Sequence, residues 1–78
     1  MPELNMLPSF RDAFLTLKRE NPKAALRAKS VIKSLQNGDK YGYRDQGDKH
    51  RRIFVDTHQE FQIIFSHFGN SILLEEIR

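Results

Sequence analysis

Residues 51–78 read RRIFVDTHQEFQIIFSHFGNSILLEEIR and hold three short apolar runs, IFV, FQIIF and SILLEEI, parted by polar or Gly-containing breaks. Runs this short, rich in β-branched and aromatic residues and bounded by turn residues, form strands rather than helices. The spacing predicts strands over 51–56, 61–66 and 71–77, with a tight turn at His67-Phe68-Gly69-Asn70. The short connections make neighbouring strands antiparallel. In the middle run Phe61, Ile63 and Phe65 alternate with Gln62, Ile64 and Ser66. Both of its faces therefore carry apolar groups, which predicts a central strand covered on more than one side.

Such a sheet needs a cover, and the preceding residues supply one. Phe10, Phe14 and Leu17 recur at i, i+4 and i+7, one face of a helix over 9–20, with Ser9 placed to cap it. Asn21-Pro22 is the strongest local signal. Asn is a preferred N-cap, Pro suits the first helical position, and Pro also disfavours α geometry at the residue before it. A second helix then runs to about Asn37, with Gly38 as its left-handed terminator. Ala25, Ala28, Val31, Ile32 and Leu35 form its apolar stripe, and its alanines let the two helices approach closely. A joint this short makes an antiparallel αα-hairpin. Residues 39–49 read as a loop or short edge strand, and residues 1–7 are either an edge strand or an irregular lead-in. The expected fold class is α+β, a single domain over 1–78, with an N-terminal αα-hairpin packed on a C-terminal three- to four-stranded antiparallel sheet.

The chain is short enough that its core stability is modest, about 3–5 kcal/mol. It has no cysteine, which rules out disulfides and thiolate metal sites. No apolar run approaches the ~20 residues that span a bilayer, and MPELNMLPSF lacks the pattern of a secretory signal. A cytoplasmic location with no membrane association is the expectation. The net charge of +3 is uneven. Residues 1–52 carry twelve Lys/Arg against six Asp/Glu, whereas 53–78 carry one against four. That asymmetry favours an anionic partner.

The candidate chemistry is cationic. Lys49-His50-Arg51-Arg52 enters the first sheet strand, with Arg52 and His50 on one face and Lys49 and Arg51 on the other. Cations so placed can hold a phosphodiester and stabilise charge developing at phosphorus, while a histidine moves protons near neutral pH. Lys40 and Arg44 lie beside Tyr41 and Tyr43, which can stack on bases. Lys23, Arg27, Lys29 and Lys33 make a basic side of the second helix, which is a phosphate-binding surface or simply a solvated one. His50, His58 and His67 lack the close spacing of a ready-made metal site, so no metal and no cofactor is implied.

Together, His50-Arg51-Arg52-Ile53-Phe54-Val55, Phe61-Gln62-Ile63-Ile64-Phe65 and the run from Ser71 to Arg78, behind a helical hairpin led in by Leu7-Pro8-Ser9-Phe10, resemble the RelE/ParE superfamily of small bacterial toxins. The resemblance implies the toxin component of a type II toxin–antitoxin system, neutralised by a cognate antitoxin protein. RelE-like members are metal-independent endoribonucleases that cleave mRNA on the ribosome. ParE-like members poison DNA gyrase without a nuclease site. Carried over by position, Arg52 and Arg78 match two of the family's cations, with His50 or His67 available for proton transfer. Lys40, Arg44, Lys49 and Arg51 become RNA-binding candidates. The family's further lysine falls at Phe54 and its central-strand arginine at Gln62, and members continue past the position of Arg78 to a tyrosine or histidine. The resemblance therefore implies a nuclease with a depleted active site, or else a non-enzymatic gyrase inhibitor or an inactive homologue that still binds an antitoxin. A small basic nucleic-acid-binding protein is the reading that needs no toxin at all. Apolar surface beside the hairpin would receive the antitoxin, as a helix in a groove or as an added strand.

Overall fold

The computed structural model describes residues 3–37, 44–45 and 51–78, with 44–45 described through their backbone pairing alone. Strand β1 (Glu3–Met6) leads into helices α1 (Pro8–Glu20) and α2 (Pro22–Gln36). Strand β2 (Arg44–Asp45) follows, and β3 (Arg51–Val55), β4 (Gln62–Phe68) and β5 (Ser71–Ile77) complete the order.

The helices begin where proline allows. Pro8 opens α1 behind Leu7, so the N-cap falls two positions before the expected Ser9 and carries no side-chain cap. Asn21 does cap α2. Its Oδ1 accepts from the Ala24 N–H at 3.3 Å, and Pro22 takes the first helical position. The Gly38 terminator lies outside the described residues, as does most of the expected 39–49 loop.

The sheet runs in the order β1-β5-β4-β3-β2. β3, β4 and β5 pair antiparallel, as their short connections require. The sheet as a whole is mixed and five-stranded rather than antiparallel and three- to four-stranded. β1 lies parallel to β5, with Glu3 beside Ser71 and Met6 beside Leu74. The two-residue β2 pairs antiparallel with β3. A parallel pair needs a long crossover, and the helical hairpin is part of that crossover. Two turns set the remaining register. Gly69-Asn70 joins β4 to β5, and Gly69 at φ 55° takes the first central position that a type II′ hairpin reserves for glycine. The 56–61 connection closes with Asp56 N–H to the Phe61 carbonyl at 3.0 Å and Gln59 N–H to the Asp56 carbonyl at 2.9 Å. A β-bulge on β5 sets Glu75 outside the ladder opposite Ile64 and Phe65, so Ile77 returns to the same face as Ile72 and Leu74.

The core lies between the hairpin and one face of the sheet. Phe10, Phe61, Ile63, Phe65 and Leu74 are its largest fully buried side chains, joined by Ala24, Ala28, Val31 and Leu35 of α2. The Phe54 and Phe61 rings meet at 6.3 Å between centroids, tilted by 31°. On the opposite face Ile64 and Ser66 are also buried, in keeping with β4 as the central strand. Among the described residues no helix is long and apolar enough to cross a membrane.

Candidate functional site: a cationic strand and an apolar hairpin groove

The register of β3 on β4 fixes where its cations go. Arg51 lies opposite Ser66, and Arg52 lies opposite Phe65 on the helix-covered face. On the face away from the helices, Arg51 Nη2 stands 2.7 Å from Glu75 Oε1, and the other oxygen of Glu75 accepts from the Ser66 hydroxyl. The bulge that sets Glu75 out of the ladder thus delivers a carboxylate to the first of the two arginines. Arg52 is half-buried and donates from Nη1 to the Arg51 carbonyl at 3.2 Å.

Arg78 is elsewhere. Its backbone pairs with Gln62 through bonds of 2.7 and 3.0 Å, and its exposed guanidinium lies 4.0 Å from Glu76. Arg52 is aligned with Phe65, three residues further along β4 and one strand further across the sheet. Strand rise and spacing put the two arginine backbones roughly 14 Å apart. The structure therefore does not bring Arg52 and Arg78 onto one phosphate. His67 sits in strand β4, not in the turn expected from sequence, and is half-buried. It is two residues beyond Phe65, so it is a diagonal neighbour of Arg52 on the same face, about 7–8 Å away. His50, Lys49 and Lys40 fall outside the described residues, and Arg44 is placed only by its pairing with Ile53.

Arg27 does not join the basic outer side of α2. It turns inward against the 56–61 connection, donating from Nε and Nη2 to the two oxygens of Asp56 at 3.2 and 3.0 Å and from Nη2 to Glu60 Oε1 at 2.5 Å. Asn21 Nδ2 donates to the other oxygen of Glu60 at 2.6 Å, and the Glu60 N–H donates to Asp56 at 3.2 Å. Asp56 is 4% exposed. The Arg27 hydrogen bonds outweigh the cost of its burial and hold its carboxyl below the ordinary value. The same guanidinium, aided by Asn21, lowers Glu60, and the hydrogen bonds it donates to both carboxylates raise Arg27. A sequence signal for this was present. Arg27 directly precedes Ala28 and follows Ala24 by three, at the margin of the apolar stripe.

An apolar concavity on the hairpin is separate from these polar groups. It is a groove of about 550 Å³, with Phe10, Phe14, Ala25 and Ile32 as its floor. Met6, Leu15 and Leu26 stand at its walls, the last two 51% and 67% exposed. Its charged lining residues are Arg11 and Lys18 from α1 and Lys29 from α2, all cationic. The sequence stripe missed Leu15 and Leu26 because they lie off the core-facing face. Exposed leucines on two adjacent helices are the signal that was available. Among the described residues no group of three or more His, Asp or Glu side chains is arranged to hold a metal.

No family model matches the chain, and neither a curated protein nor a solved structure matches it significantly.

Proposed function

We propose that this chain is the toxin component of a type II toxin–antitoxin pair, acting in the cytoplasm and captured by its antitoxin along the outer face of the helical hairpin. The observation that carries the reading is the groove. It offers apolar side chains from both helices, including the exposed Leu15 and Leu26, between cations contributed by both helices. An amphipathic helix with an apolar stripe and acidic flanks is the ligand that such a surface fits. The element order, a first strand, a helical hairpin and then sheet strands carrying Arg52 and Arg78, supports the toxin resemblance.

The test is capture by a small acidic protein encoded next to this chain. Leu26→Glu places a like-signed carboxylate in the path of the acidic flanks and removes an apolar wall. It should weaken capture at least tenfold in a titration, while an exposed position of this kind changes stability by no more than about 0.5 kcal/mol. Equal capture by the variant would refute groove docking. Expression of the chain alone should arrest growth, and co-expression of the acidic protein should restore it.

Within this reading, separation of Arg52 from Arg78 favours a toxin that acts by binding, such as a gyrase inhibitor or an inactive homologue. The nuclease form rests on Arg52 and His67, which share one face. It requires new mRNA ends when the chain is added to translating ribosomes, and their loss in Arg52→Ala.

A further inference from the structure

The two halves of α2 are held to the sheet by different forces. Its C-terminal half buries Val31 and Leu35, side chains large enough to anchor a helix by apolar contact. Its N-terminal half buries only Ala24, Ala25 and Ala28. A methyl group brings roughly 0.8 kcal/mol at most, so three alanines anchor weakly. At that end the polar cluster takes over. Arg27 reaches across to Asp56 and Glu60 on the β3–β4 connection, and Asn21 reaches Glu60 from the joint between the helices. The seam under the neighbouring end of α1 is not filled. A cleft of about 410 Å³ opens there between Ala13, Leu17 and Glu20 of α1, Phe61 at the end of the β3–β4 connection and Ile77 of β5.

We propose that Arg27, Asp56, Glu60 and Asn21 form a releasable latch, which holds the joint end of the helical hairpin against the β3–β4 connection and lets that end lift while the sheet stays paired. The sheet is independent of the latch because its ladders run through backbone bonds of β3, β4 and β5. The hairpin is hinged at its other end by Phe10, Val31 and Leu35, which remain in the core. Release exposes Phe61 and the α1 side of the seam and lets the first turns of α2 open, while α1 and the rest of α2 stay helical. This inference stands whether or not the chain is a toxin.

Amide hydrogen exchange on the whole chain tests it. Arg27→Met keeps the aliphatic stem and removes every latch bond made by the guanidinium. The amides of residues 24–28 should then exchange at least tenfold faster, while those of Ile63 and Leu74 keep their wild-type rates. Arg27→Lys retains the charge but not the fork to two carboxylates, and should fall between the two. Lys33→Met, an exposed cation of the same helix outside the latch and the groove, should leave all these exchange rates unchanged. The proposal is overturned if the β4 and β5 amides accelerate by the same factor as residues 24–28, because the cluster then only adds to global stability. It is equally overturned if no amide responds. Should Arg27→Met not fold, Glu60→Gln removes one arm of the latch, and the same local-against-global comparison decides.

Discussion

At the scale of single residues, backbone geometry and charge pairing separate the positions that matter. Gln59 holds φ at 57°, a left-handed conformation that costs a side-chain-bearing residue about 1–2 kcal/mol. It is tolerated because the turn bond from its N–H to Asp56 and the latch around it fix the connection. Gln59→Gly should therefore raise stability by roughly 0.5–1 kcal/mol, the relief of strain being partly offset by glycine's extra freedom when unfolded. A higher urea midpoint with an unchanged slope is the expected result. Several residue roles were beyond the reach of sequence. Arg27 lies at the margin of the apolar stripe and Lys29 beyond it, but the wheel does not name their surroundings, a carboxylate cluster for one and the groove for the other. Arg51 and Arg52 are adjacent cations, and only the bulge at Glu75 decides that Arg51 meets a carboxylate on the face away from the helices. The partners of Arg27 and Arg51 are not encoded in local pattern, because they lie 24 to 33 positions away.

At the scale of elements, local chemistry was much more legible. Asn21-Pro22 ended one helix and began the next where expected, and the β5 span follows directly from its apolar run. The cap should be worth about 1 kcal/mol, and Asn21→Ala should lower stability by at least that amount. The loss should exceed that of a cap alone, because Asn21 also holds Glu60. A double-mutant cycle with Glu60→Gln, read by chemical denaturation, isolates the second part, and strict additivity would show that the two side chains do not interact. The orientation of β1 was not legible. A four-residue strand with one half-buried side chain has almost no pattern of its own. Its place beside β5 is set by where the hairpin delivers the chain.

At the scale of the whole molecule, acid sensitivity follows from the latch. Asp56 and Glu60 have native values below the ordinary carboxylate value, so the stability they confer is fully present above that value. It is lost as pH falls from about 4 through their lowered native values. Arg27, raised in the native state, contributes at every pH below its own high ordinary value and does not shape this window. Denaturant midpoints should be flat through neutrality and decline in acid, and the gap between wild type and Arg27→Met should close as pH falls. A gap that persisted undiminished well below that range would show that Arg27 stabilises by packing rather than by its carboxylate partners.

The parallel seating of β1 against β5 has a consequence for how the molecule comes into being. β5 is hydrogen-bonded on both sides, to β4 and to β1, and Glu3 finds its neighbour only at Ser71. During synthesis the helical hairpin is made early, but the strand that locks β1 in place is made after the other described strands. Pairing across that separation is slow, since the loop must close before the contact stabilises anything. Until then β1 and β4 present unpaired edges, open to any strand that arrives first. Early encounter with a binding partner would thus meet an exposed hairpin and an unfinished sheet. Order of manufacture thus sets which surfaces of the chain are exposed first.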